Sequence, residues 1–176
     1  QLDKLLMTRS LNGQSTESFI ISPITTLSNF LPSQDINVLL GIDSSIDINT
    51  TDPVSNKGDG GAYDYLYEKG NQLSIIALSL TNISNSLNTS TDNTYDYFKA
   101  IAEEINTEYS STSLKVDIES EIFLTKVIDN IITAKALTIG DDAKTNTIKA
   151  LTGVIPVVDV KVDNAITTAL ARFSFT

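Results

Sequence analysis

The sequence predicts an all-α fold in which six or seven helices pack as a bundle around one long central helix, about Ala62 to Leu87. Within that stretch leucine recurs at every seventh position, and small residues stand between the leucines along one helical stripe. Other apolar segments also show helical spacing, whereas alternating patterns typical of strands are short, so we expect little or no β structure. The leucines are Leu66, Leu73, Leu80 and Leu87, and the small residues are Gly70, Ala77 and Ser84.

Two short helices are predicted before the central one. Ser22-Pro23 favours a helix start, because serine caps the first turn and proline is tolerated where its missing N–H costs nothing. We expect Pro32-Ser33 to end this helix and to cap a second, shorter one. Gly41 then closes the second helix in a left-handed conformation.

The candidate metal ligands lie in the next segment, a long loop over residues 42–61 that is rich in Asp, Asn, Ser and Gly. Carboxylate and amide oxygens are the ligands that calcium prefers. The spacing does not match an EF-hand loop, and acidic loop residues also serve as turn acceptors and helix caps, so both interpretations stay open. The candidate calcium ligands are Asp43, Asp47, Asn49 and Asp52.

Two helices with a brief extended stretch between them are predicted after the central helix. Thr94 or Asp92 is expected to cap the first of these helices. Alternating apolar residues over 114–118 predict the extended stretch, and Ser120 then caps an apolar helix that ends near Gly140.

The two ends of the chain complete the predicted elements. Asp141-Asp142 favours another helix start through capping and the helix dipole. We expect an extended connector over Val154 to Val162 and a last helix capped by Asp163. At the other end, the residues from Gln1 to Ile21 form an N-terminal segment, in which the spacing of Leu2, Leu5 and Leu6 predicts a helical turn before Asn12-Gly13.

Length and composition favour one domain over residues 1–176, because 41% hydrophobic residues in a chain of 176 can supply a core without disulfides. Since Gln1 is not an initiator, we expect this helical domain to be a segment of a longer or processed protein. The acidic balance and the many Asn, Ser and Thr residues favour an extracellular or cell-surface location.

The residue types present exclude several kinds of chemistry. The chain has no cysteine and no histidine, which removes disulfides, thiolate nucleophiles, Ser-His pairs and the usual zinc ligands. A net charge of −10 opposes binding to nucleic acid or anionic lipid. No apolar run approaches the length of a spanning helix, so no membrane insertion is expected.

The order of several short motifs resembles a known kind of module. Ser22-Pro23-Ile24-Thr25-Thr26-Leu27 is followed by Gly41-Ile42-Asp43, by Thr51-Asp52-Pro53 and then by the long helix. Over Ile21 to Leu87 the chain resembles a helical module that recurs in large secreted adhesin-like proteins of marine bacteria and cyanobacteria, often beside calcium-binding repeats. The resemblance implies an extracellular interaction or spacer segment, and it carries no catalytic residues.

These observations favour a non-catalytic interaction or spacer module, which we expect to be monomeric in isolation. Its partners would be other extracellular domains or surface glycans. One alternative is a module that binds a glycan, peptide or small apolar molecule between helices, with tyrosines as contact residues. The other is a carboxylate hydrolase, for which the only close acidic pairs are Glu103-Glu104 and Glu119 with Glu121.

The leucine stripe itself is either an internal seam or a dimerising zipper, and we favour the seam.

Overall fold

The computed structural model describes residues 20–87 and 92–155. Within these ranges the protein is all-α, as predicted, with six helices, no strand and 64% of the residues helical. The helices are α1 (Pro23–Ser28), α2 (Ile36–Leu40), α3 (Ala62–Leu87), α4 (Thr94–Thr112), α5 (Glu121–Ala134) and α6 (Asp141–Val154). None of them is long and apolar enough to cross a membrane.

Three of the predicted elements fall wholly or largely outside the described residues. They are the turn before Asn12-Gly13, the connector that ends at Val162 and the last helix from Asp163.

Local capping explains where α1 and α2 begin and end. The Ser22 hydroxyl accepts a hydrogen bond from Thr25 N at 3.2 Å, and the Thr25 hydroxyl accepts one from Ser22 N at 2.8 Å, which together form a capping box. Helix α1 ends at Ser28, earlier than the predicted Pro32-Ser33, with the Asn29 N–H donating back to the Thr26 carbonyl. The prediction that Ser33 caps α2 was also wrong, because the cap is Asp35, whose carboxylate accepts from Asn37 N at 3.0 Å. Gly41 closes α2 in the left-handed region, with a φ of 69°.

Helix α3 spans the residues that the leucine repeat predicted, and it packs against α1 and α4. Leu66, Leu73 and Leu80 are at most 3% exposed, so the stripe is an internal seam, although Leu87 at the end is 43% exposed. Ile75 lies off the stripe and is also fully buried. Three isoleucines of the loop before α3 are also buried and belong to the same core cluster as Ile75. They are Ile42, Ile46 and Ile48.

Polar residues of α3 are buried as well. Gln72 and Ser79 lie off the leucine stripe, yet neither is exposed to solvent. A buried amide or hydroxyl costs free energy unless it finds a hydrogen-bond partner inside the protein. Burial of both sides of α3 thus creates a need for polar partners within the bundle.

Helix α4 holds the two halves of the bundle together, because it packs against α1, α2, α3 and α5, while α6 packs against α5. Its cap is Asn93, which accepts from Tyr95 N at 2.9 Å, and neither Thr94 nor Asp92 takes that position. The stretch that follows α4 forms no strand, but Val116 N donates to the carbonyl of Leu39 at 2.8 Å and joins this stretch to α2.

The last two described helices begin where the sequence predicted. Ser120 caps α5 by accepting from Phe123 N at 3.1 Å, and two aspartates occupy the first turn of α6. Helix α5 ends earlier than expected, because Ala136 adopts a φ of 49° and Leu137 N donates back to the Ile132 carbonyl at 2.9 Å. This left-handed closure stops the helix well before Gly140.

Candidate functional site

The predicted calcium ligands occupy successive turns of the loop before α3. Asp43 accepts a hydrogen bond from Ser45 N at 2.8 Å, and Asp47 accepts one from Asn49 N at 2.9 Å. The second oxygen of Asp47 accepts from the Thr50 hydroxyl at 3.0 Å. In each case the carboxylate holds a backbone N–H two residues ahead, which is the geometry of an Asx turn.

Asp52 repeats this arrangement at the end of the loop. Its carboxylate accepts from the Ser55 hydroxyl at 2.5 Å and from Val54 N at 2.9 Å. These two bonds favour the ionised form and lower the pKa of Asp52, and the bonds from Ser45 lower the pKa of Asp43 in the same way. Asp43 and Asp52 are therefore ionised turn acceptors.

The described ranges contain no group of three or more acidic side chains placed to hold a metal ion. Calcium binding by Asp43, Asp47, Asn49 and Asp52 stays a prediction from the sequence. An ion in this loop would have to recruit oxygens that already accept hydrogen bonds from the turns.

Two pockets of the described residues could receive a small molecule. The larger, of about 360 Å³, lies between the end of α1, the start of α2 and residues 46–49, so that Asp47 and Asn49 are part of its wall. The smaller, of about 170 Å³, lies between α4 and α5 beside Tyr97. The larger pocket has no tyrosine in its wall, which differs from the tyrosine-lined groove that a glycan-binding module would favour.

Most of the tyrosines pack inside the bundle. Tyr97 is fully buried and Tyr67 is 8% exposed, while the Tyr65 hydroxyl donates to the Leu40 carbonyl at 2.9 Å. The ring of Tyr95 lies against Phe30, with 4.7 Å between the ring centroids. Tyr63, at 38% exposed, is the tyrosine of this group that offers an open surface.

The members of the acidic pairs differ in their exposure to solvent. In the first pair Glu103 is exposed, whereas Glu104 is 5% exposed and turned toward α5. There it accepts a hydrogen bond from Asn130 at 3.0 Å and lies 3.5 Å from the Lys126 amine. Lys126 also lies 3.5 Å from Glu108, so one lysine lies within ion-pair distance of two carboxylates between α4 and α5.

A buried polar cluster that the sequence did not predict surrounds Lys69, in the first half of α3. Lys69 is 7% exposed, contacts the carboxylate of Glu119 and donates to the Gln72 amide oxygen at 2.8 Å. The Gln72 amide nitrogen donates to Glu119 and to Glu68, each at 3.0 Å. The only signal for this cluster in the sequence was a lysine beside Gly70 on the apolar stripe.

A second charged cluster joins the end of α3 to α4 and α5. Asp92 accepts from the Lys135 amine, the Ser84 hydroxyl and the Tyr97 hydroxyl, at 2.7 to 2.8 Å. Burial alone would raise the pKa of Asp92, but these bonds outweigh it and lower the pKa from its ordinary value of 3.8 to about 2. Burial and the neighbouring Asp92 carboxylate raise the pKa of Tyr97, so its hydroxyl stays a donor.

Both clusters combine an ion pair with hydrogen bonds from neutral side chains, and each joins a helix to a residue just outside one. Their polar atoms are held by partners from the same bundle, which is the arrangement of a structural contact between elements distant in sequence. Comparison of the chain with protein-family models, with curated proteins and with solved structures found no match.

The turn geometry of the loop predicts different effects for two substitutions of one residue. Asp47→Asn keeps an oxygen that can accept from Asn49 N, so we expect its free energy of unfolding to match the wild type within about 0.5 kcal/mol. Asp47→Ala removes both acceptors, and we expect a loss of about 1 kcal/mol. Urea denaturation followed by circular dichroism measures both.

Melting curves with and without calcium distinguish carboxylates that act only as turn acceptors from a calcium site in the same loop. For turn acceptors alone, excess calcium leaves the melting midpoints of the wild type and of both variants unchanged. A calcium site of useful affinity would instead raise the melting midpoint of the wild type, because calcium at one hundred times its Kd stabilises the folded state by about 2.7 kcal/mol. The Asp47→Asn variant would not show this rise.

The Asp92 cluster predicts a stability difference that depends on pH. Because the pKa of Asp92 is lower in the folded chain, its contribution is present above about pH 4 and is lost as the pH falls toward about 2. Asp92→Asn should therefore destabilise the protein most at pH 6, and the gap from the wild type should shrink toward pH 2. Urea denaturation across this range gives both curves, and a gap that is constant with pH would contradict the assignment.

Proposed function

We propose that the chain is a non-catalytic interaction or spacer module of a secreted or cell-surface bacterial protein. The observation that carries the proposal is the use of charged side chains between helices. Asp92 pairs with Lys135, and Lys126 lies 3.5 Å from both Glu104 and Glu108, so these contacts join α4 and the residue before its cap to α5. Charges used in this way give a defined relative position of the helices rather than an open reactive centre.

The acidic side chains support a module without hydrolytic chemistry. A carboxylate hydrolase needs two carboxyl groups that face one substrate bond, one as acid and one as base or nucleophile. Glu104 and Glu119 are the partly or fully buried members of the acidic pairs, and each contacts a lysine. Their partners in the pairs, Glu103 and Glu121, are exposed to solvent.

Composition and surface support the proposed setting. The net charge of −10 and the absence of cysteine and histidine suit a surface-exposed spacer, and the motif order over Ile21 to Leu87 resembles modules of adhesin-like proteins. Several large apolar side chains are also left exposed, and they suit contacts with neighbouring extracellular domains. The most exposed are Ile122 at 69%, Leu114 at 68% and Val54 at 58%.

A ligand-binding module is the second candidate, and the 360 Å³ pocket beside α2 favours it. The volume falls in the range of sites for small molecules, and the wall carries carboxylate and amide groups that could orient a sugar or a peptide. Gln34 belongs to this wall and is exposed, so it can be replaced without disturbing the core.

The proposal predicts a monomer that hydrolyses nothing. We expect light scattering to give a mass near 19.1 kDa, and we expect no turnover of chromogenic glycosides, esters or peptides. Hydrolysis that is abolished by Glu104→Gln or Glu119→Gln, but retained in the exposed control Glu103→Gln, would contradict it. A saturable rise in melting midpoint with a soluble glycan, lost in Gln34→Ala, would favour the second candidate instead.

A further inference from the structure

One carboxylate in the bundle contacts both an amine and an amide. Glu119 accepts from the Lys69 amine and, at 3.0 Å, from the amide nitrogen of Gln72 through the same oxygen, Oε1. Lys69 Nζ also donates to the Gln72 amide oxygen at 2.8 Å. The three groups therefore close a triangle in which a nucleophile, a carbonyl and a proton carrier are all within hydrogen-bond reach.

The surroundings keep this triangle in place and limit access of water. Lys69 is 7% exposed and Gln72 is fully buried, and the two side chains are neighbours on one face of α3 because they are three residues apart. The Tyr65 ring covers the amine, with 5.1 Å from Nζ to the ring centroid. Fixed neighbours of this kind react far faster than the same groups in solution, since their relative position is already determined.

We propose that Lys69 and Gln72 form an isopeptide bond in a reaction that the folded chain itself catalyses. Glu119 takes a proton from the Lys69 ammonium, and the amine lone pair attacks the Gln72 carbonyl carbon, Cδ. Glu119 then gives its proton to Gln72 Nε2 and takes another from the attacking nitrogen. The Cδ–Nε2 bond then breaks and releases ammonia. The ammonia accepts the proton that Glu119 took from the attacking nitrogen, and it leaves as ammonium.

The step balances without any further reagent. A primary amide and an ammonium group become a secondary amide and an ammonium ion, with no oxidation and no cofactor. Glu119 begins and ends as a carboxylate, so it acts as the catalytic base and acid. The product joins two side chains of α3 by a covalent bond and removes the positive charge of a buried lysine. The inference does not depend on the proposed function.

Intact mass spectrometry of the purified full chain tests the proposal. We expect the wild type to be lighter than its sequence mass by about 17 Da, the mass of ammonia. Lys69→Arg keeps the positive charge but removes the reactive amine, and Glu119→Gln removes the proton carrier, so both should lack this loss. Cyclisation of Gln1 would release ammonia equally from the wild type and the variants, so the bond is measured as the further loss of about 17 Da in the wild type compared with Lys69→Arg. A wild type and a Lys69→Arg variant that show the same loss from their sequence masses would overturn the proposal.

Peptide mapping of the wild type decides the question even if a variant fails to fold. Trypsin should not cleave after Lys69, and fragmentation should place the loss between Lys69 and Gln72. Efficient cleavage after Lys69, or a wild type that keeps its full mass after prolonged incubation, overturns the bond. A loss of about 18 Da, the mass of water, would place the bond on Glu119 and contradict the assignment to Gln72.

Discussion

Burial of α3 on nearly every side is the constraint on which the rest of the structure depends. Helices α1 and α4 cover its leucine stripe, and the buried isoleucines of the preceding loop share the core of Ile75. This removal of apolar surface from water is the main favourable term available to a chain without disulfides. It also explains why the loop over residues 42–61, despite its polar composition, is an integral part of the fold.

The same burial determines where the polar chemistry lies. A helix enclosed on both sides carries polar residues into the interior, where a missing partner costs free energy, as it does at the buried Ser79 hydroxyl, which makes no hydrogen bond within the described residues. Lys69 and Gln72 find theirs in Glu119, and Ser84 finds its partner in Asp92. Buried pairs of this kind contribute little net stability compared with apolar packing, but they disfavour other arrangements of the helices. The Lys69 cluster adds the geometry of a reactive site to that structural role.

Local signals in the sequence were sufficient for much of the fold. The capping serines Ser22 and Ser120, the left-handed Gly41 and the leucine repeat of α3 each depend on residues close in the chain, and the structure confirms them. The caps of α2 and α4 and the end of α5 were placed wrongly. At the end of α5 a non-glycine residue, Ala136, takes a left-handed conformation that its residue type does not signal.

The buried clusters could not be predicted, because they join residues far apart in the chain. Glu119 lies fifty positions from Lys69, and nothing in the composition of either segment indicates that they meet. The burial of the tyrosines could not be predicted for the same reason, since Tyr97 is buried by packing that only the assembled bundle provides. The loop aspartates were singled out from the sequence as calcium ligands, which stays a prediction, and local turns determine what their carboxylates contact.

Native-state hydrogen exchange of the α3 amides is the most direct test of the central claim that this helix is enclosed within one chain. The account predicts that amides from Leu66 to Ser84 exchange only through global unfolding, at rates that are independent of protein concentration and match the free energy from urea denaturation. Exchange of the backbone amides near Ile75 through local opening would contradict the claim that α3 is enclosed. Protection of these amides that appears only at high protein concentration would contradict it as well.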